Sequence, residues 1–308
     1  RVSFDLFKIM VPIVIVVKIL QDLDMIKYLA MPLGPLMEVV GLPSEMGLVW
    51  ATAILNNLYI AIIVLLSIVK ETPITTAQAT VLCTMMLVAH TLPVELKIAQ
   101  KSGPRLMFQA VSRLGSAILL GWFLQVVYFF FGWLQQPVNV LIKPHAESAL
   151  HKGSFTSWVT GQAQNLLSIF LIILCLLILM WLLEKLKIID TMNRVLRPLL
   201  KLIGIGPKAS AITVIGLTMG ISYGGGLIIR EARSGHIDKK DIFYSLTLMG
   251  LSHGLIEDTL LMVMVGGHVS GLLLGRIIFS FGAVSLLVKA KARLPKAFCD
   301  KFLWGEPR

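Results

Sequence analysis

MLVAHTL at residues 86–92 and MGLSHGL at residues 249–255 are two versions of one heptapeptide, 163 positions apart. The same offset sets PLMEVVGL (35–42) on PLLKLIGI (198–205). It also pairs Phe7 with Phe170, Ile15 with Ile178, Thr84 with Thr247, His90 with His253, Gly103 with Gly266 and Arg113 with Arg276. No gap is needed. General hydrophobicity does not align a histidine, an arginine and several glycines and prolines at one spacing, so residues near 5–121 are read as duplicated at 168–284.

Composition sets the medium in which the two copies fold. Hydrophobic residues make up 56% of the 308, charged residues 15%, and the mean hydropathy is +0.82. Soluble domains are less apolar and hold about a quarter charged residues. The excess lies in runs such as Phe170 to Leu183 and Ala211 to Ile229, close to the ~20 residues that cross a bilayer as a helix. The net charge of +11 does not point to nucleic acid, because the cations cluster in short loops between apolar runs. Cys83, Cys175 and Cys299 are isolated and form neither a disulfide framework nor a metal-binding pair. No cleavable signal pattern is read at the start, which is Arg1.

Each copy predicts the same elements: a spanning helix (5–27 and 166–187), an amphipathic stretch (28–42 and 188–206), an interrupted apolar segment (45–70 and 208–230), and two more spans (76–98 and 105–133, then 240–264 and 268–288). In the second amphipathic stretch Ile188, Met192, Val195, Leu199 and Leu202 form an apolar stripe flanked by Arg194, Arg197 and Lys201, which suits a helix lying in the membrane interface. The interrupted segments decide the topology. Asn56 and Asn57 break one, and Gly220, Ser222, Tyr223, Gly224, Gly225 and Gly226 break the other. A hairpin with legs of about 11 residues reaches roughly 17 Å, near the bilayer midplane. Two re-entrant hairpins leave three full crossings per copy, and an odd number inverts the second copy.

The cations agree with that model. With the N-terminus inside, it places Lys97, Lys101 and Arg105, then Lys185 to Lys208, then Arg230, Arg233, Lys239 and Lys240, and the tail with Lys289, Lys291, Arg293 and Lys296 on the cytoplasmic side. Segments 28–44, 71–75 and 265–270, expected outside, hold no Lys or Arg, and the connector 134–165 holds only Lys143 and Lys152. The expected fold class is therefore an all-α integral membrane protein of two inverted-topology repeats, each with three spanning helices, an interfacial amphipathic helix and a re-entrant helical hairpin. Its parts are repeat 1 (1–133), an extracytoplasmic connector (134–165), repeat 2 (166–288) and a basic cytoplasmic tail (289–308). Both termini are cytoplasmic, and the chain is expected in the cell inner membrane. Inverted repeats with broken helices at the midplane are an architecture of secondary transporters.

The stretch GLTMGISYGGGLIIREARSGHIDKKDIFYSLTLMGLSHGLIEDTLLM (216–262) resembles the Gate, or nucleoside recognition, domain. Related domains occur in concentrative nucleoside transporters, in ferrous-iron transporters of the B type and in the spore maturation proteins A and B. The resemblance covers both copies. It implies this membrane fold and a polar, nucleoside-like solute, and the spore maturation branch admits a non-transporting subunit of a membrane complex.

Ionisable residues inside spans cost about 2.5–3.5 kcal/mol each on insertion and call for a role. His90 and His253 are expected mid-span in the helix after each hairpin, at one depth, to bind solute, a proton or a divalent metal. Glu257 is four residues after His253 and on its face of a continuous helix. Its repeat mate is Val94, so it is the candidate for proton or cation coupling and, with His90 and His253, for metal ligation. Glu95 with Arg113, and Asp258 with Arg276, are read as structural ion pairs. The hairpin tips, Asn56, Asn57 and Ser222 through Gly226, are candidates for solute contact through side chains and unwound backbone. His145, Glu147 and His151 in the connector read as a solvated loop, and Lys18 receives no role. Ser252 beside His253 does not make a hydrolase, because adjacent helical residues diverge by about 100° and no oxyanion motif accompanies them. A secondary transporter of a small polar solute is thus expected, with a divalent-metal permease as the alternative. No cofactor is expected beyond a coupling H+ or Na+ or a divalent metal. The partners are the solute or ion and the lipid bilayer, with no nucleic acid, and a homo-oligomer is compatible.

Overall fold

The computed structural model describes residues 31–69, 71–141 and 155–305, with Ile15, Ile19, Leu23, Met25 and Tyr28 before them. Apart from those isolated positions, the expected first span lies outside the described residues, as do Lys18, His145, Glu147 and His151. Regular structure among the described residues is helical, with two isolated bridges, Thr75 to Pro137 and Pro104 to Trp304.

After a short 3-10 turn, the first half runs α1 (Gly34–Val39), α2 (Met46–Leu55), α3 (Leu58–Ile68), α4 (Thr76–Val88), α5 (Leu92–Lys101) and α6 (Leu106–Phe131). The second runs α7 (Phe155–Lys185), α8 (Ile188–Leu202), α9 (Pro207–Met219), α10 (Ile221–Arg233), α11 (Lys239–Ser252) and α12 (Glu257–Met264). A π-type turn (Ser270–Gly275) then leads into α13 (Arg276–Lys291), and α14 (Lys296–Phe302) follows. Left-handed backbone recurs at matching places: Gly41 (φ 69°) and Gly204 (φ 85°), Gly103 (φ 120°) and Gly266 (φ 96°), Thr91 (φ 50°) and Gly254 (φ 59°).

Four described helical stretches are long and apolar enough to cross a membrane: Thr76–Lys101, Leu106–Phe131, Lys239–Met264 and Ser270–Lys291. They form two classes. The apolar windows of the first and third are 78% and 72% buried inside the protein, against 28% for each of the other two. The inner stretches are the ones that carry His90 and His253. The outer ones present large side chains outward, such as Leu119, Trp122, Phe123, Phe129 and Phe130 on α6. An apolar face of that extent is foreign to a water-soluble monomer and natural in hydrocarbon.

The interrupted segments fold as two packed helix pairs, α2 with α3 and α9 with α10. Their legs of 10, 11, 13 and 13 residues are roughly 15–20 Å long, at about 1.5 Å per residue. Asn57 starts α3 as its N-cap, with its side-chain oxygen accepting from Ile60 N at 3.0 Å. In the second pair the turn sits at Gly220 (φ 90°), and Ser222, Tyr223, Gly224, Gly225 and Gly226 belong to the first turns of α10. The glycine run expected at the tip is thus inside a helix. One residue with positive φ suffices to reverse the chain, so the run is free to continue as helix.

α4 opens on a reciprocal capping box between Thr75 and Gln78, and the Gln78 amide goes on to donate to Gly41 O at 2.9 Å. On α8, Leu196 and Leu200 are buried while Val195, Leu199 and Leu202 stay exposed, so part of its apolar stripe faces away from the protein. The basic tail has structure of its own. After α13, α14 folds back on the bundle, Leu303 O accepts from Arg105 N at 2.8 Å, Gly103 O accepts from Gly305 N at 2.8 Å, and the Trp304 ring meets Phe243.

Candidate functional site

Both inner stretches are broken where the histidines stand. α4 stops at Val88 and α5 begins at Leu92; α11 stops at Ser252 and α12 begins at Glu257. His90 and His253 therefore occupy unwound backbone in the middle of each stretch, not the continuous helix that the hydropathy suggests. The local causes are readable. Pro93 stands in the first turn of α5, and Gly254 takes the left-handed conformation open to glycine. Thr91 holds the equivalent conformation at a cost of about 1–2 kcal/mol for a residue with a Cβ.

Unwinding frees carbonyls, and the site is built by answering them. His90 Nδ1 lies 3.0 Å from Met86 O, and His253 Nδ1 lies 2.8 Å from Met249 O. Arg113 Nε donates to Val88 O at 2.9 Å and its Nη2 to His90 O at 3.1 Å. The breaks are pinned to the first leg of each helix pair, by Thr91 N to Ala53 O at 2.9 Å and by Leu255 N to Leu217 O at 3.0 Å.

The two breaks meet. His90 Nε2 and His253 Nε2 are 3.2 Å apart, with ring centroids 4.8 Å apart, and both residues are buried. Glu95 joins them, with Oε1 3.1 Å from His253 Nε2 and 4.0 Å from His90 Nε2. Its other oxygen is taken by Arg113 Nη1. Asp258 completes the group, with its carboxylate and the two imidazole nitrogens all within 4.8 Å of one another.

Glu257 does not stand there. It lies at the start of α12, and its Oε1 accepts from Tyr59 OH on α3 at 2.9 Å. The break explains the exchange. Four residues from His253 means one helix face only while the helix continues, and unwinding at 253–256 resets the phase. The two arginine mates also part company. Arg113 uses all three nitrogens, whereas Arg276, fully buried, reaches Thr259 Oγ1 at 3.2 Å and leaves Nε and Nη1 without a partner among the described residues. No ion pair joins Arg276 to Asp258 within 4.0 Å, so that expected pair is corrected: the two side chains do not meet. Ser252 Oγ is engaged with Leu248 O at 3.1 Å, in the bond of an ordinary helical serine.

Asn56 caps the end of α2. α10, which carries Ser222 through Gly226, packs against α5, and Tyr59 ties α3 to α12, so each helix pair touches the broken stretch of the other half. The π-type turn before Arg276 and the docked tail have no signal in apolar periodicity. Gly254 was legible as a helix breaker, and so was Pro93.

These features define a multi-pass, all-helical membrane protein, and residues 166–284 match the Gate family, described as nucleoside recognition. Over 277 residues the chain is 24% identical to the uncharacterized membrane protein YvoD of Bacillus subtilis (strain 168), which covers 90% of this chain and 87% of that one. No solved structure matches the chain.

Proposed function

We propose that the chain is a secondary transporter of the cytoplasmic membrane, moving a small polar solute by alternating access. In this reading the two copies are inverted, the pairs α2–α3 and α9–α10 re-enter the membrane, and one repeat rocks against the other around the histidine centre. The observation that carries it is the meeting of two unwound, polar backbone segments, one from each copy, inside otherwise apolar spans. Unwound backbone at membrane depth is tolerated where protein or an aqueous cavity shields it, and it is where transporters hold solutes. The family description supports a nucleoside-like solute. The solute would contact His90, His253 and the turns at Asn56–Asn57 and Gly220, with Ser222 through Gly226 on the helix that follows. A proton, Na+ or a divalent metal would be the coupling ion.

The test is a thermal-shift screen of the detergent-purified chain against nucleosides, bases and phosphorylated metabolites, followed by uptake of each stabilising compound into proteoliposomes. Saturable uptake of a compound that also stabilises the protein is expected. Stabilisation without uptake under any imposed ion gradient would refute transport and favour the non-transporting subunit.

A further inference from the structure

The histidine centre gathers metal-ligating atoms around one point. Each imidazole has its Nδ1 against a backbone carbonyl, Met86 O at 3.0 Å and Met249 O at 2.8 Å. A carbonyl accepts only, so Nδ1 of each ring carries a hydrogen, and Nε2 is the ring atom left to ligate a metal. Those two Nε2 atoms lie 3.2 Å apart and face Glu95 Oε1 at 3.1 Å and 4.0 Å. Three atoms able to ligate a metal thus converge.

We infer that His90 and His253, with Glu95 Oε1 and the Asp258 carboxylate, bind one late first-row divalent metal ion. The spacing suits it. Two nitrogens held by one tetrahedral ion at about 2.0–2.1 Å lie about 3.3 Å apart, and the observed separation is 3.2 Å. The outer contacts suit it as well, because metal-bound histidines characteristically donate their second ring N–H to a carbonyl or carboxylate. The division of Glu95 leaves one oxygen for the ion, since Arg113 holds the other. Two imidazoles and two carboxylates are a borderline donor set that favours Zn2+, Co2+ or Fe2+ over Mg2+ and Ca2+, which take six or more oxygens. Gly254 belongs to the site for a steric reason, because a Cβ there would stand 1.9 Å from Asp258 Oδ2. An ion so placed sits between the two halves. Its part in transport rests on the proposed function; its binding does not.

The test uses the full chain in detergent, stripped with a chelator and titrated with Zn2+ by calorimetry, with bound metal counted by mass spectrometry. One tightly bound ion per chain is expected, with Mg2+ and Ca2+ failing to compete. His90→Ala and His253→Ala should each weaken binding by more than ~100-fold, beyond the 10–100-fold that loss of an outer hydrogen-bond partner costs. The double variant His236→Ala, His268→Ala should bind as the wild type does. Should the central variants misfold, the X-ray absorption edge of the wild-type Zn2+ or Co2+ complex decides alone, with two imidazoles in the coordination shell. No stoichiometric ion, unchanged affinity in both histidine variants, or a shell without two imidazoles overturns the assignment. Solute-induced stabilisation of the metal-free chain would then leave the transport reading standing, and an ion-binding chain with no transported solute would do the converse.

Discussion

Glu95 with Arg113 and Asp258 with Arg276 occupy matching places, yet they should couple very differently. Arg113→Met removes the Glu95 ion pair and the donors to Val88 O and His90 O together. Breaking a buried pair from one side costs about 3–5 kcal/mol, and each orphaned carbonyl adds up to ~1–3 kcal/mol where the backbone cannot relax. Arg276→Met removes a buried guanidinium with two unsatisfied nitrogens and one bond to Thr259, so the relief of desolvation offsets most of the loss. We expect at least about 4 kcal/mol of destabilisation for the first and less than about 1 kcal/mol, of either sign, for the second. Double-mutant cycles with Glu95→Gln and Asp258→Asn sharpen the contrast, with coupling of ~3 kcal/mol or more against less than ~1 kcal/mol. Reversible unfolding in mixed SDS micelles measures both, on metal-free protein. Equal coupling in the two cycles would refute the reasoning, since it would place Arg276 in contact with Asp258.

Three further outcomes are expected. Gly254→Ala combines positive φ with a Cβ driven into Asp258, so it should cost about 1–3 kcal/mol and weaken binding at the centre, while Thr91→Gly should cost little or stabilise, read by the same unfolding assay. Tyr59→Phe removes the bond to Glu257 and should destabilise by about 1–2 kcal/mol, with Glu257→Gln recovering part of the loss in combination. On a cysteine-free background, Ser234→Cys should resist an impermeant thiol reagent added to whole cells and Ser270→Cys should react, because one span separates them and the proposed inversion of the second copy would put Ser234 inside; labelling of Ser234→Cys from outside would break the inverted topology.

Much of this architecture was legible because polar residues made the repeat visible. His90, Arg113 and their mates align at one offset, and the helices that precede the two histidines, Thr76–Val88 and Lys239–Ser252, match to within one residue at that offset. The Glu95–Arg113 pair was legible for the same reason, since a buried charge seeks a partner. What sequence periodicity missed are phase errors. Hydropathy runs on through 89–91 and 253–256, where the backbone unwinds, so the helix-face argument favoured Glu257 while the chain delivered Asp258. The glycine run 224–226 suggests a turn, but Gly220 supplies the positive φ at which the chain reverses. The failed symmetry of Arg276 has a different origin. Asp258 is one methylene shorter than its mate Glu95, and Arg276 meets Thr259 where the first copy has Leu96, so equal arginines make unequal contacts.

The account turns on whether the meeting point of His90 and His253 is where solute is handled. The most direct measurement is uptake of the stabilising solute by proteoliposomes containing wild-type chain or the His90→Ala, His253→Ala double variant, each first verified as monodisperse and helical. The account predicts that the double variant folds, loses solute-induced stabilisation and carries no solute, with His253→Ala alone more damaging than His90→Ala because Gly254, Glu257 and Asp258 lie on its side. A folded double variant that transports at the wild-type rate would show that the paired histidines are packing residues and that the pathway runs elsewhere.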